Sequence, residues 1–232
     1  AFVSQIILAR LMGEFEYGIF AFVWVIVVLA GNLSCLGFHT SVIRFLPQHQ
    51  ADGDLASARG LHVTARIFAM LSASVLAALG FIFLRLFAGS FEAYWLAPLF
   101  LALFTLPMIA LGDVLDGTAR ASGWTLTALT PTFLIRPTLI LLFMVGAVWL
   151  GAPDTAVTAM EAALAATYVT TLIQYMRLRQ RLRRAFGDGP LRLNAGAWFA
   201  YSLPIFLIDG IGFLLTNADV VVVGLYLPPD QV

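Results

Sequence analysis

Between Ala121 and Pro153 the chain carries a single charged side chain, Arg136, with Pro131 before it and Pro137 directly after. A run of that length crosses a bilayer, and a charge near its centre costs about 2.5–3.5 kcal/mol to insert, so such a group is paired or faces a wet cavity. Proline removes a backbone hydrogen bond and permits a bend, which suits a helix lining a cavity. Two roles are therefore open to Arg136. It is a cationic contact for an anionic substrate, or the counter-charge of a buried acid elsewhere in a helix bundle.

Other chemistry-bearing groups are sparse. Asp209 and Asp219 share the last apolar run, Ala195–Leu227. At 100° per residue they lie about 80° apart around a helix, so one broad face holds both. With Asn217 and the bend expected at Ser202-Leu203-Pro204, this segment reads as a gate helix, or its acids pair with arginines such as Arg136. Glu161 lies less than two turns inside its run, near water, where a structural role is expected. Asp113, Asp116 and Arg120 follow i, i+3, i+7 spacing and share a helical face. An exposed Asp116–Arg120 pair is worth a few tenths of a kcal/mol, and two acids are too few for a metal site. Asp52-Gly53-Asp54 reads as a solvated turn. Arg177, Arg179, Arg181, Arg183 and Arg184 read as a topological anchor against anionic headgroups.

No G-x-S-x-G elbow, P-loop or H-E-x-x-H run occurs, and His39, His49 and His62 show no metal-ligand spacing. One cysteine, Cys35, excludes an internal disulfide and a multi-thiolate site. No catalytic residue, metal or cofactor is expected, and energy for any transport comes from a gradient, with Asp209, Asp219 or Glu161 as candidate coupling groups.

These groups need a scaffold that is not water-facing. The 232 residues are 61% hydrophobic and 11% charged, with mean hydropathy +0.92, whereas soluble domains run nearer half and a quarter. Zero net charge removes a nucleic-acid partner. Runs capable of crossing a bilayer occupy Tyr17–Ile43, Ile67–Leu84, Ala93–Gly112, Ala121–Pro153, Thr155–Met176 and Ala195–Leu227, after a partial run at Ala1–Ala9. Segments such as Leu139–Val145 are apolar on every face, which excludes the alternating strands of a membrane barrel. The expected fold is all-α, a polytopic membrane helix bundle.

Every basic residue is arginine. Arg44, Arg59, Arg66, Arg120, Arg177, Arg179, Arg181, Arg183, Arg184 and Arg192 fall between alternate runs, against only Arg10 and Arg85 on the other side. The positive-inside rule makes the first group cytoplasmic. Tyr17, Tyr94, Trp95, Trp124, Trp149, Trp198 and Tyr201 near run ends form an aromatic belt. The connections leave no room for a soluble domain, so the function lies in the membrane helices. The chain reads as a piece of a longer protein.

The run Ile7-Leu8-Ala9-Arg10-Leu11-Met12-Gly13-Glu14-Phe15-Glu16-Tyr17-Gly18 resembles the first outer turn of the bacterial oligosaccharide flippases. These form the polysaccharide-export branch of the superfamily that also holds the multidrug and toxin extruders. Leu36-Gly37-Phe38 with Arg44-Phe45-Leu46, the run Asp116–Gly123, and Ser202-Leu203-Pro204 with Asp219 and Gly224 are similar to later family segments in the same order. The resemblance implies a chain of 12–14 helices in two lobes. Residues 1–194 would be the N-terminal six-helix lobe, its first helix truncated, and residues 195–232 the first helix of a second, incomplete lobe. A faint echo of Leu11–Gly18 in Leu225–Val232 fits such a duplication.

Further implied are a bacterial inner-membrane location and translocation of a polyprenyl-pyrophosphate-linked oligosaccharide by alternating access. Arg136, Arg10 and Arg44 would contact the pyrophosphate, and a polysaccharide polymerase and a chain-length regulator would be partners alongside membrane lipids. Two rivals stand beside this. A drug or cation extruder of the same superfamily would carry a cavity dominated by acids. An integral-membrane polyprenyl-phosphate transferase would need clustered acids or histidines facing one leaflet, and only Asp113 with Asp116 approaches that.

Overall fold

The computed structural model describes residues 2–216. Its helices are α1 (Phe2–Met12), α2 (Glu14–Ser34), α3 (Phe38–Ala51), α4 (Leu55–Leu86), α5 (Ala93–Ala121), α6 (Thr125–Thr130), α7 (Arg136–Trp149), α8 (Ala156–Phe186) and α9 (Ala195–Thr216). A π-helical stretch, Pro131–Ile135, joins α6 to α7, so Thr125–Trp149 runs as one membrane-length element. Six elements among the described residues are long and apolar enough to cross a membrane. The protein is an all-helical, multi-pass membrane bundle.

Helix α5 is the axis of the bundle and packs against α2, α3, α4 and α8. Its partners approach through small residues. On α4 the stripe Ala58, Leu61, Ala65, Ala69 and Ala73 is fully buried, and α8 contributes Ala159, Ala163 and Ala166. In lipid, burying an apolar side chain gains little over leaving it among acyl chains, so close backbone approach and dispersion hold such helices together. The other side of α4 (Leu71, Val75, Leu79, Ile82 and Leu86) is exposed. That face meets lipid.

The structure corrects the expected uninterrupted run from Tyr17 to Ile43. It breaks at Cys35–Gly37, where Leu36 (φ 44°) and Gly37 (φ 76°) adopt left-handed backbone and α3 departs as a separate helix. At Gly37 a Cβ would overlap the backbone carbonyl of Ser202 on α9, so glycine is required for conformation and for contact. Arg44, Arg59 and Arg66 belong to the connection that follows this run. It is helix on both sides of the short turn Asp52–Asp54.

Asp54 caps α4, accepting from Ser57 N–H at 3.0 Å and from the Ser57 hydroxyl at 2.7 Å. These bonds hold its carboxyl below the ordinary range. At the other end of the bundle Glu16 Oε2 accepts from Ala156 N–H at 2.7 Å, so the first turn of α2 caps α8. Arg59 ties the segment after α8 to α4 by donating to Phe186 O and Pro190 O. Helix α9 begins at Ala195 and lies on α2 and α3, burying Trp198 and Ser202. The Ser202 hydroxyl meets that of Ser41 at 2.7 Å.

Candidate functional site

Arg136 is the first residue after the π-helical stretch and only 5% exposed. Pro131 has no N–H to donate and opens the stretch, and Pro137 follows Arg136, so the backbone around the arginine departs from regular α-helix on its N-terminal side. The side chain reaches from α7 onto α5. A methyl group added to Gly112 would stand 3.2 Å from Arg136 Nη2, so the absent Cβ of Gly112 makes room for the guanidinium.

The charge is opposed but not clasped. Asp113 and Asp116 of α5 both act on it through space, yet no carboxylate oxygen lies within 4.0 Å among the described ion pairs. Among the described residues neither Nε nor Nη2 of Arg136 has a hydrogen-bond partner. Buried polar groups are almost always bonded. Asn32 of α2 acts on Asp113, and Asp116 is engaged by Arg120. That last pair corrects the expected surface pair, since Asp116 is buried and only Arg120 is exposed.

Beside Arg136 lies a cavity of about 460 Å³ between α1, α2 and α7. Ser4, Gln5, Trp24 and Thr132 line it with Arg136, among apolar Leu8, Phe20, Val28 and Ile140, and none of its lining residues is acidic. Its walls are mainly apolar, with a few hydroxyl and amide groups and one cation. That combination admits an anionic group attached to an apolar carrier.

The remaining candidates do not converge there. Arg10 is exposed at the end of α1, and Arg44 is exposed on α3, its guanidinium 4.3 Å from the Tyr201 ring centroid. Asp209 on α9 meets α3: its Oδ2 lies 3.3 Å from His39 Nε2 and accepts from the Thr40 hydroxyl at 3.1 Å. Glu161 is exposed on α8. Asp219 and Asn217 lie outside the described residues. Among those described, no three His, Cys, Asp or Glu side chains gather in a metal-binding group.

Sequence reasoning passed over Asn32, Gly112 and the pairing of His39 and Thr40 with Asp209. For Asn32 a signal existed, since it is an amide within an otherwise apolar run. The other contacts join residues on different helices and leave no local trace.

A family model described as polysaccharide biosynthesis protein matches residues 1–232. No curated protein and no solved structure matches the chain.

Proposed function

The chain belongs to the polysaccharide biosynthesis protein family, and we propose that it is part of a flippase moving a polyprenyl-pyrophosphate-linked oligosaccharide between the leaflets of the bacterial inner membrane. The reading makes residues 1–194 one lobe and residues 195–232 the start of the second. Alternating access rocks the lobes about the substrate, and the protein transports without chemical turnover.

The observation that carries this is Arg136, a buried guanidinium with two unpartnered nitrogens beside an acid-free cavity. A pyrophosphate offers several oxyanion acceptors, and hydrogen bonds between charged partners are roughly twice as strong as neutral ones. The apolar walls suit the first isoprene units. A drug or cation extruder would place carboxylates in that space. Here the acids Asp113 and Asp116 stand on α5, outside the cavity lining, where they balance its charge through space. Arg10 and Arg44, outside the cavity, would meet the passenger only at its mouths. Asp209, with His39 and Thr40, is the better-built candidate for ion coupling, ahead of Glu161.

The test is transport in proteoliposomes holding the full-length protein and a labelled lipid-linked oligosaccharide, read by lectin access from outside. Arg136→Ala is expected to insert normally and lose at least tenfold in flipping rate, with Arg136→Lys keeping part of it. Wild-type flipping by Arg136→Ala would remove this residue from the substrate path, and a changed product mass would mark a transferase instead.

A further inference from the structure

A second cavity of about 510 Å³ lies where α6 and the π-helical stretch meet α8, away from the cavity at Arg136. Arg177, Arg181 and Arg184 line it, and no acid does. Arg181 is held in position, with Nη1 donating to the Thr127 hydroxyl at 2.8 Å and the guanidinium 5.6 Å from the Trp124 ring centroid. Arg177 and Arg184 form no ion pair among the described residues.

Deeper along the same face of α8 stand Gln174 and Thr170, each 2% exposed. Gln174 Nε2 donates to Thr127 O at 3.4 Å, while Gln174 Oε1 and Thr170 Oγ1 have no partner among the described residues. A plain headgroup anchor needs only surface arginines. It does not need an amide and a hydroxyl buried and unsatisfied beneath them.

The order of groups along this face follows the anatomy of a phospholipid. Residues 170, 174, 177, 181 and 184 recur at three- and four-residue steps and so form one strip about 20 Å long. Guanidinium groups come first, at the depth of a lipid phosphate. Gln174 lies three residues inside Arg177, about 4.5 Å along the axis, where glycerol and ester groups follow the phosphate. Ile135 and Ile173 supply apolar wall for the acyl chains. A free phosphate would satisfy the arginines and leave the Thr170 hydroxyl and the second N–H of Gln174 Nε2 without an acceptor.

We infer that this groove binds an anionic membrane phospholipid, its phosphate on Arg177, Arg181 and Arg184 and its ester carbonyls accepting from the second N–H of Gln174 Nε2 and from the Thr170 hydroxyl. The site is separate from Arg136 and stands whether or not the protein is a flippase.

Native mass spectrometry of the detergent-purified full-length protein, titrated with phosphatidylglycerol or phosphatidylcholine, tests it. Phosphatidylglycerol is expected to bind at least tenfold more tightly. Each arginine near a lipid phosphate contributes on the order of 1 kcal/mol, so Arg177→Gln with Arg181→Gln should weaken that affinity about tenfold or more. Gln174→Leu should weaken it severalfold with no change of charge. Arg179→Gln with Arg183→Gln, an equal charge loss off this strip, should leave it unchanged. Equal binding of the two lipids, or equal losses from both arginine pairs, would reduce the groove to diffuse attraction and overturn the site. Displacement of the lipid by millimolar inorganic phosphate would make it a soluble-anion site, and stronger binding of a polyprenyl phosphate would make it a substrate port. Either result also overturns the assignment.

Discussion

Arg136 has two neighbours of opposite sign and hydrogen-bonding capacity left over, so its structural and functional roles are separable by charge exchange. Asp113→Asn leaves the guanidinium less balanced and is expected to lower the melting temperature in detergent by several degrees. Arg136→Gln in the same chain should restore much of that loss, because the two charges disappear together, while lipid-linked oligosaccharide flipping stays lost. Recovery of flipping in the double variant would mean that the arginine serves only its acids. Arg136 was legible in the sequence because a lone charge in a membrane-length run needs an explanation. Asp113 was not: its polarity belonged to a face that read as solvated, and only packing turns that face toward α7.

At the scale of elements, helix positions were legible from apolar runs and their flanking arginines, whereas the break at Cys35–Gly37 was not. Hydropathy sees no charge there, and the cause is a contact with α9 far along the chain. The crossing of α3 and α5 is equally specific. A Cβ on Gly117 would overlap the His39 carbonyl, a backbone group that cannot rotate away. Gly117→Ala should therefore destabilise by about 2 kcal/mol, within the range of overpacking. Gly146, in α7, faces no atom within 4 Å, and Gly146→Ala should stabilise by about 0.5–1 kcal/mol through reduced backbone freedom. Thermal unfolding in detergent measures both, and a destabilised Gly146→Ala alongside a neutral Gly117→Ala would contradict the packing described.

For the molecule as a whole, the arginine asymmetry sets an orientation that accessibility can test. Cys35 is fully buried and is the one cysteine of these 232 residues, so this part of the protein is a quiet background for added thiols. Asp154→Cys, in the turn before α8, should react with an impermeant maleimide from outside intact cells, and Ala185→Cys, near the end of α8, only after lysis. The opposite pattern would invert the assigned sidedness. The expected orientation rests on where the arginines fall in the sequence. The separation of the bundle into a cationic cavity on one side of the α6–α7 element and a groove on the other was not legible there, because both depend on which way a single helix is turned.

That turning has a genetic consequence. A π turn holds about one residue more than the α turn it replaces, and one residue is about 100° of rotation. Excising one position from 131–135 would convert the π turn to an α turn and keep Arg136 and Thr127 on their present faces, whereas excising one from the α-helical part of Thr125–Trp149 would turn one face about 100° from the other. Positions 131–135 are thus the one stretch of this element where a residue can be lost with both faces kept in register, although length, hydropathy and charge change equally little wherever the deletion falls.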